Sequence, residues 1–146
     1  MGEAVLVPID GSPLSYRALR HALDAFSDAE ITALHVTDLF DPGHGTDSDS
    51  LYEPIAGSEE WYAMETEAAE ELLSEAESVA AEYDREIQTE SEIGDPERLI
   101  PDYARDTDID HIVLGIHGRE EEDRSLVGRV AEKVVYRAPV SVTVIR

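Results

Sequence analysis

The chain has 146 residues, 42% of them hydrophobic, and its 34 acidic residues against 11 basic ones give a net charge of −23. That length suits one domain around one core, and the absence of cysteine excludes disulfides, thiolate metal ligands and cysteine nucleophiles together. The acidic excess argues against a nucleic-acid partner; no apolar run is long enough for a bilayer, and "MGEAVLVPIDG" has an acid where a secretory signal needs basic residues, so the expectation is a soluble cytoplasmic protein with no membrane partner.

"AVLVPID" (4–10) is an apolar run that turns polar at its end, as a buried parallel strand does. Ser12 followed by Pro13 reads as a helix cap with proline at the first helical position, and Ala18, Leu19, Ala22, Leu23 and Phe26 supply the apolar face. "EITALHVTDL" (30–39) is a second strand, and 41–58, rich in glycine, proline and short polar residues, a long surface loop. From Glu59 to about Asp84 the period is helical, with Tyr62, Ala69, Leu72, Leu73, Ala76, Val79, Ala80 and Tyr83 on one side. "EIQTESEIG" (86–94) alternates like a half-exposed outer strand. Asp95 and Pro96 then repeat the cap-and-proline start of a helix, which Pro101 is expected to bend or restart. "DHIVLGI" (110–116) is a buried strand, "GRVAEKVVYRA" a fourth helix and "PVSVTVIR" (139–146) a last strand. Strands alternating with helices over the whole chain predict an α/β fold, a doubly wound parallel five-stranded sheet of order 3-2-1-4-5 with helices on both faces.

In such a sheet ligands bind beyond the carboxyl ends of the strands where the order reverses, here between the first and fourth strands. Asp10 would then face the turn of Gly115 and Gly118. There is neither GxxxxGK[ST] nor GxGxxG after the first strand; what stands there is G-x2-G-x9-G, made by Gly115, Gly118 and Gly128. Glycines between a strand and a helix bring bare N–H groups close to an anion, although Glu120, Glu121, Glu122 and Asp123 fill the gap, bracketed by Arg119 and Arg124.

With "PIDGS", "LHV", "GDP" and the closing "PVSVTVIR", this motif makes the chain resemble the universal stress protein family from end to end. The resemblance implies an α/β domain that pairs as a dimer and either binds an adenosine nucleotide or belongs to a branch that does not. Carried over by motif, Asp10 resembles the acid near the ribose and a metal, and Val36 the residue whose backbone meets the adenine. Leu114, Gly115, Gly118, Gly128 and Val130 resemble the wall and phosphate cradle. The implied ligand is ATP, or AMP or ADP, with Mg2+ or Mn2+. One position departs: where nucleotide-binding members carry serine or threonine after the third glycine, this chain has Arg129. Arginine brings a fork of donors and more bulk than a hydroxyl. It could reach the terminal phosphate, fold outward onto Glu120–Glu122, or block the cradle.

Plainer readings stand beside these. Asp10 could only cap the "GSP" turn, and Gly115 and Gly118 could only permit a tight turn, though that leaves Gly128 unexplained. His35 reads as a hydrogen-bonded core histidine and His117 as a packing or turn residue. "DTDID" (106–110) imitates a calcium loop but has His111 where that loop needs glycine, so it reads as a turn into a strand. Trp61 and Tyr62 read as core or loop anchors.

The expected function is a stress-response regulatory module binding ATP with a divalent cation in the crevice of the first and fourth strands, at most slowly hydrolysing it. The alternative is a dimeric interaction protein for an unknown protein partner, its cradle disabled by Arg129. Residues 140–146 form a strand rich in β-branched residues that falls at the sheet edge, so a homodimer through it is expected. The single lysine, Lys133, among acids spread over helix faces and loops resembles proteins of a molar-salt cytoplasm, where a Debye length of about 3 Å at 1 M screens separated charges.

Overall fold

The computed structural model describes residues 2–38, 57–116 and 128–146. Most of the loop expected over 41–58, together with His117, Gly118 and the acidic stretch to Asp123, lies outside the described residues. Strands β1 (Ala4–Pro8), β2 (Glu30–Asp38), β3 (Gln88–Gly94), β4 (His111–Gly115) and β5 (Ser141–Ile145) alternate with helices α1 (Pro13–Ala25), α2 (Glu59–Glu82), α3 (Pro96–Asp106) and α4 (Arg129–Arg137). All strand pairs are parallel and the order is β3-β2-β1-β4-β5, as the element pattern predicts.

Side chains of a strand alternate between faces, so a strand covered on both sides must be apolar throughout. Val5, Val7, Ile31, Ala33 and Val113 pack beneath α1 and α2. Leu6, Leu34, Ile112 and Leu114 pack on the opposite face, under Ile100 and Ala104 of α3 and Ala131 and Val134 of α4. β3, at one edge, needs no such run and exposes Gln88, Glu90 and Ser91.

α1 starts as its sequence dictates, with Ser12 Oγ accepting from Ser15 N–H at 3.2 Å and Pro13 in the first turn. Its far end is closed by a residue the sequence did not single out: the Arg85 guanidinium donates to the carbonyls of Leu23, Phe26 and Ala29 at 2.9, 3.1 and 2.6 Å. One expectation is corrected. Trp61, 8% exposed, takes the buried place near the start of α2, and Tyr62 stays 42% exposed; burying the larger indole leaves the phenol hydroxyl in water, with the rings edge to face at 5.0 Å. Of the bend or restart expected at Pro101, the restart does not occur, and α3 runs as one element through it. The missing N–H withdraws one helical bond, while the buried ring joins Ile100 and Ala104 on the packed side. The "DTDID" stretch is the turn into β4, where Asp110 N–H donates to Ala4 O at 2.8 Å and its carboxylate accepts from Ala4 N–H at 2.9 Å. Among the described residues no helix is long and apolar enough to cross a membrane.

Candidate functional site

The order reverses between β1 and β4, and the chain is shaped there by short-range bonds. β1 keeps its ladder one residue past Pro8, with Ile9 N–H donating to Leu34 O at 2.8 Å. Asp10 follows, and Gly11 at φ 85° makes the reversal that favours glycine. Asp10 Oδ1 accepts from Ser12 N–H at 2.9 Å, so one carboxylate oxygen does cap the turn into α1; the other is bonded to no described residue.

Across the reversal point, Gly115 ends β4 against the first turn of α1. A Cβ there would lie 2.9 Å from Leu14 Cβ and 3.2 Å from Leu14 C, so close helix-to-strand packing demands this glycine whatever else it serves. Ile116 N–H then bonds Ile145 O at 2.7 Å, and Ile116 O accepts from Gly128 N–H at 2.6 Å, which fixes the start of α4 to the end of β4. Gly128 caps α4 and brings no side-chain hydrogen bond of its own to the first N–H groups of the helix.

Val36, Leu114 and Val130 belong to one apolar cluster at this end of the sheet. Leu114 is buried, so its backbone is what it can present, while Val36 and Val130 are half-buried. The structure thus gathers Asp10, Val36, Leu114, Gly115, Gly128, Arg129 and Val130 at the carboxyl ends of β1, β2 and β4; Gly118 lies outside the described residues.

Among the described residues, Arg129 has a partner absent from its sequence-based options, while Glu120–Glu122 lie outside those residues. Its Nε donates to Glu97 Oε1 at 2.7 Å, joining the first turns of α4 and α3. Asp95 caps α3 by accepting from Glu97 N–H at 3.0 Å, and Asp38 is buried at the end of β2. Tyr16 donates its hydroxyl to Leu72 O at 3.1 Å. Its pKa is raised by burial first, then by the negative charges of Glu75 and Asp10, so the phenol keeps its proton. His35 lies with Nδ1 2.7 Å from Ile9 O, bonded as expected from "ALHVT" but half-buried rather than in the core. Among the described residues no cluster of three or more histidines and acids could hold a metal. For a cation this end offers the unengaged oxygen of Asp10, a donor set that suits Mg2+ when phosphate oxygens and water complete the shell.

Glu97 and Tyr16 escaped the sequence reading. The only local signal for Glu97 was an acid in the first turn of a helix, which the dipole explains without any site. Apolar walls beside N–H donors and a carboxylate can hold a ligand that has a ring at one end and an anion at the other.

The universal stress protein family model matches residues 1–146. A universal stress protein of Methanocaldococcus jannaschii is 31% identical over 146 residues, covering 99% of this chain and 82% of that one. Among solved structures, universal stress protein UspA from Lactobacillus plantarum is 31% identical with a TM-score of 0.76, covering 99% of this chain and 97% of its own. The universal stress protein from Archaeoglobus fulgidus in complex with dAMP is 24% identical with a TM-score of 0.65, covering 100% of this chain and 98% of its own. With its order of elements, its glycine-marked reversal point and these likenesses in hand, the chain belongs to the universal stress protein family.

Proposed function

We propose that the chain is a regulatory module that binds an adenosine nucleotide at the β1/β4 reversal. Val36 would border the adenine, Asp10 the ribose, and the N–H groups of Arg129 and Val130, with the Cβ-free backbone of Gly128 beside them, the phosphates. The observation that carries this reading is an α4 start whose capping residue is a glycine, held at the end of β4 by the Gly128 N–H to Ile116 O bond. An anion there gains about 0.3 to 1 kcal/mol from the helix dipole before any hydrogen bond is counted. Relatives bound to dAMP, to cAMP and to AMP support the ligand class. ATP with Mg2+ or Mn2+ is the ligand we assign. Asp10 would supply the protein's carboxylate to the cation, whose chemistry when bound is to offset the charge of the phosphates beside this acid-rich end.

The pairing of Arg129 with Glu97 supports binding over a disabled cradle, because it directs the guanidinium toward α3. We further propose that two copies pair through β5 in a cytoplasm of molar salt. β3 carries Glu90 and Glu92 along its edge, whereas β5 presents valines, threonine and isoleucine; acids blunt an edge and β-branched residues do not.

Calorimetric titration of Mg-ATP in molar KCl tests the binding. We expect saturable binding of one nucleotide per chain, removed by Gly128→Val in protein that melts cooperatively. Absence of heat with ATP, ADP and AMP alike would defeat the proposal.

A further inference from the structure

The link between Arg129 and Glu97 places a carboxylate against the side chain that departs from the family's pattern. Arg129 is the first residue of α4, directly after Gly128, and its side chain is 69% exposed. Glu97 is only 17% exposed. Its backbone is anchored in the first turn of α3 by the Asp95 cap, and α3 packs on α4 through Ile100, Ala104, Ala131 and Val134. One partner is therefore fixed, and the other is a long side chain at the rim of the α4 N–H groups.

A carboxylate and a phosphate oxygen offer arginine the same acceptor chemistry. A pair in contact also survives molar salt, which screens charges farther apart than about 3 Å. We propose that Glu97 is an internal stand-in for the nucleotide's phosphate. It holds Arg129 on α3 until a phosphate at the start of α4 replaces it, and so sets how far the site favours phosphorylated ligands over adenosine. The step is an exchange of acceptors, in which the guanidinium keeps its charge and no covalent bond changes. The inference rests on the adenosine-nucleotide reading of the crevice. Under it Glu97 is a positioning residue that acts through Arg129.

The test measures dissociation constants for ATP and adenosine in molar KCl with the wild type, Glu97→Gln, Arg129→Ser and the double variant. Glu97→Gln should raise the preference for ATP over adenosine by about fivefold, the scale of a partly exposed ion pair. In the Arg129→Ser background the same change should alter that preference by less than about twofold, because coupling disappears with its partner. A merely structural role for Glu97 would move both ligands together and leave their ratio alone. An unchanged ratio in Glu97→Gln, or the same gain with and without Arg129, overturns the proposal while the crevice reading stands. Failure of adenosine and ATP to bind any of the four proteins overturns both. Should Glu97→Gln not fold, the Arg129 Nε–H resonance of the wild type decides: ATP shifts it and adenosine does not, and a resonance unmoved by ATP overturns the exchange.

Discussion

Single residues at the β1/β4 end serve packing as well as the proposed binding, and substitutions can separate the two. Gly115→Ala would press a methyl into Leu14, where the nearest contacts are 2.9 and 3.2 Å. Overpacking of this kind costs about 1 to 3 kcal/mol, so the melt should fall with or without nucleotide. A variant as stable as the wild type would show that α1 can back away from β4. Tyr16 makes a pH-dependent contribution. Its folded-state pKa is raised by burial and by Glu75 and Asp10, and that of Tyr103 by burial and by Glu90 and Glu92. Both contributions are complete below the ordinary phenol value of about 10 and fade as pH rises through the higher folded-state values. Denaturation midpoints at mildly and strongly alkaline pH should therefore fall, and less so in Tyr16→Phe, which at neutral pH loses about 0.5 to 1.5 kcal/mol with the bond to Leu72 O. A wild-type midpoint flat across the alkaline range would contradict this. Asp10, Gly115 and Gly128 were legible in the sequence because glycine and turn chemistry are local. Glu97, Tyr16 and Arg85 were not, since each acts on a partner that only the fold brings near.

At the scale of elements, caps and periodicity located every strand and helix of the described residues. What they missed has a physical origin. Periodicity does not rank neighbouring aromatics, so Tyr62 was expected where Trp61 is buried, and the proline rule alone does not separate a restart from a helix that continues, because it weighs a lost bond without the packing gained. The β5 edge yields a directed test. Ile145 O accepts from Ile116 N–H, and alternate residues of a strand point their N–H and C=O groups the same way, so Thr143 also faces β4 while Val142 and Val144 face outward. Val142→Pro should remove a bond to a partner strand and shift sedimentation from dimer to monomer, whereas Thr143→Pro should unsettle the β4 pairing and lower the melt. A wild type that sediments as a monomer at micromolar concentration would rule out the β5 pairing.

At the scale of the whole molecule the net charge is the property to test. α2 alone carries Glu67, Glu71 and Glu75 at four-residue spacing, where like charges oppose the helix by about 0.2 to 0.5 kcal/mol per pair. Summed over a chain of net charge −23, such repulsion should relax as KCl rises toward molar concentration, raising the melting temperature; a melt indifferent to salt would remove the high-salt adaptation. The same screening would let an acid-rich end accept the proposed anionic ligand. The nucleotide's place is tested most directly by recording backbone amide resonances in molar KCl while Mg-ATP is added. The account predicts saturable shifts concentrated at Gly11, Ser12, Val36, Gly115 and Gly128–Ala131, with α2 unaffected beyond its first turn. Shifts confined to other surfaces, or none at saturating ATP, would contradict it.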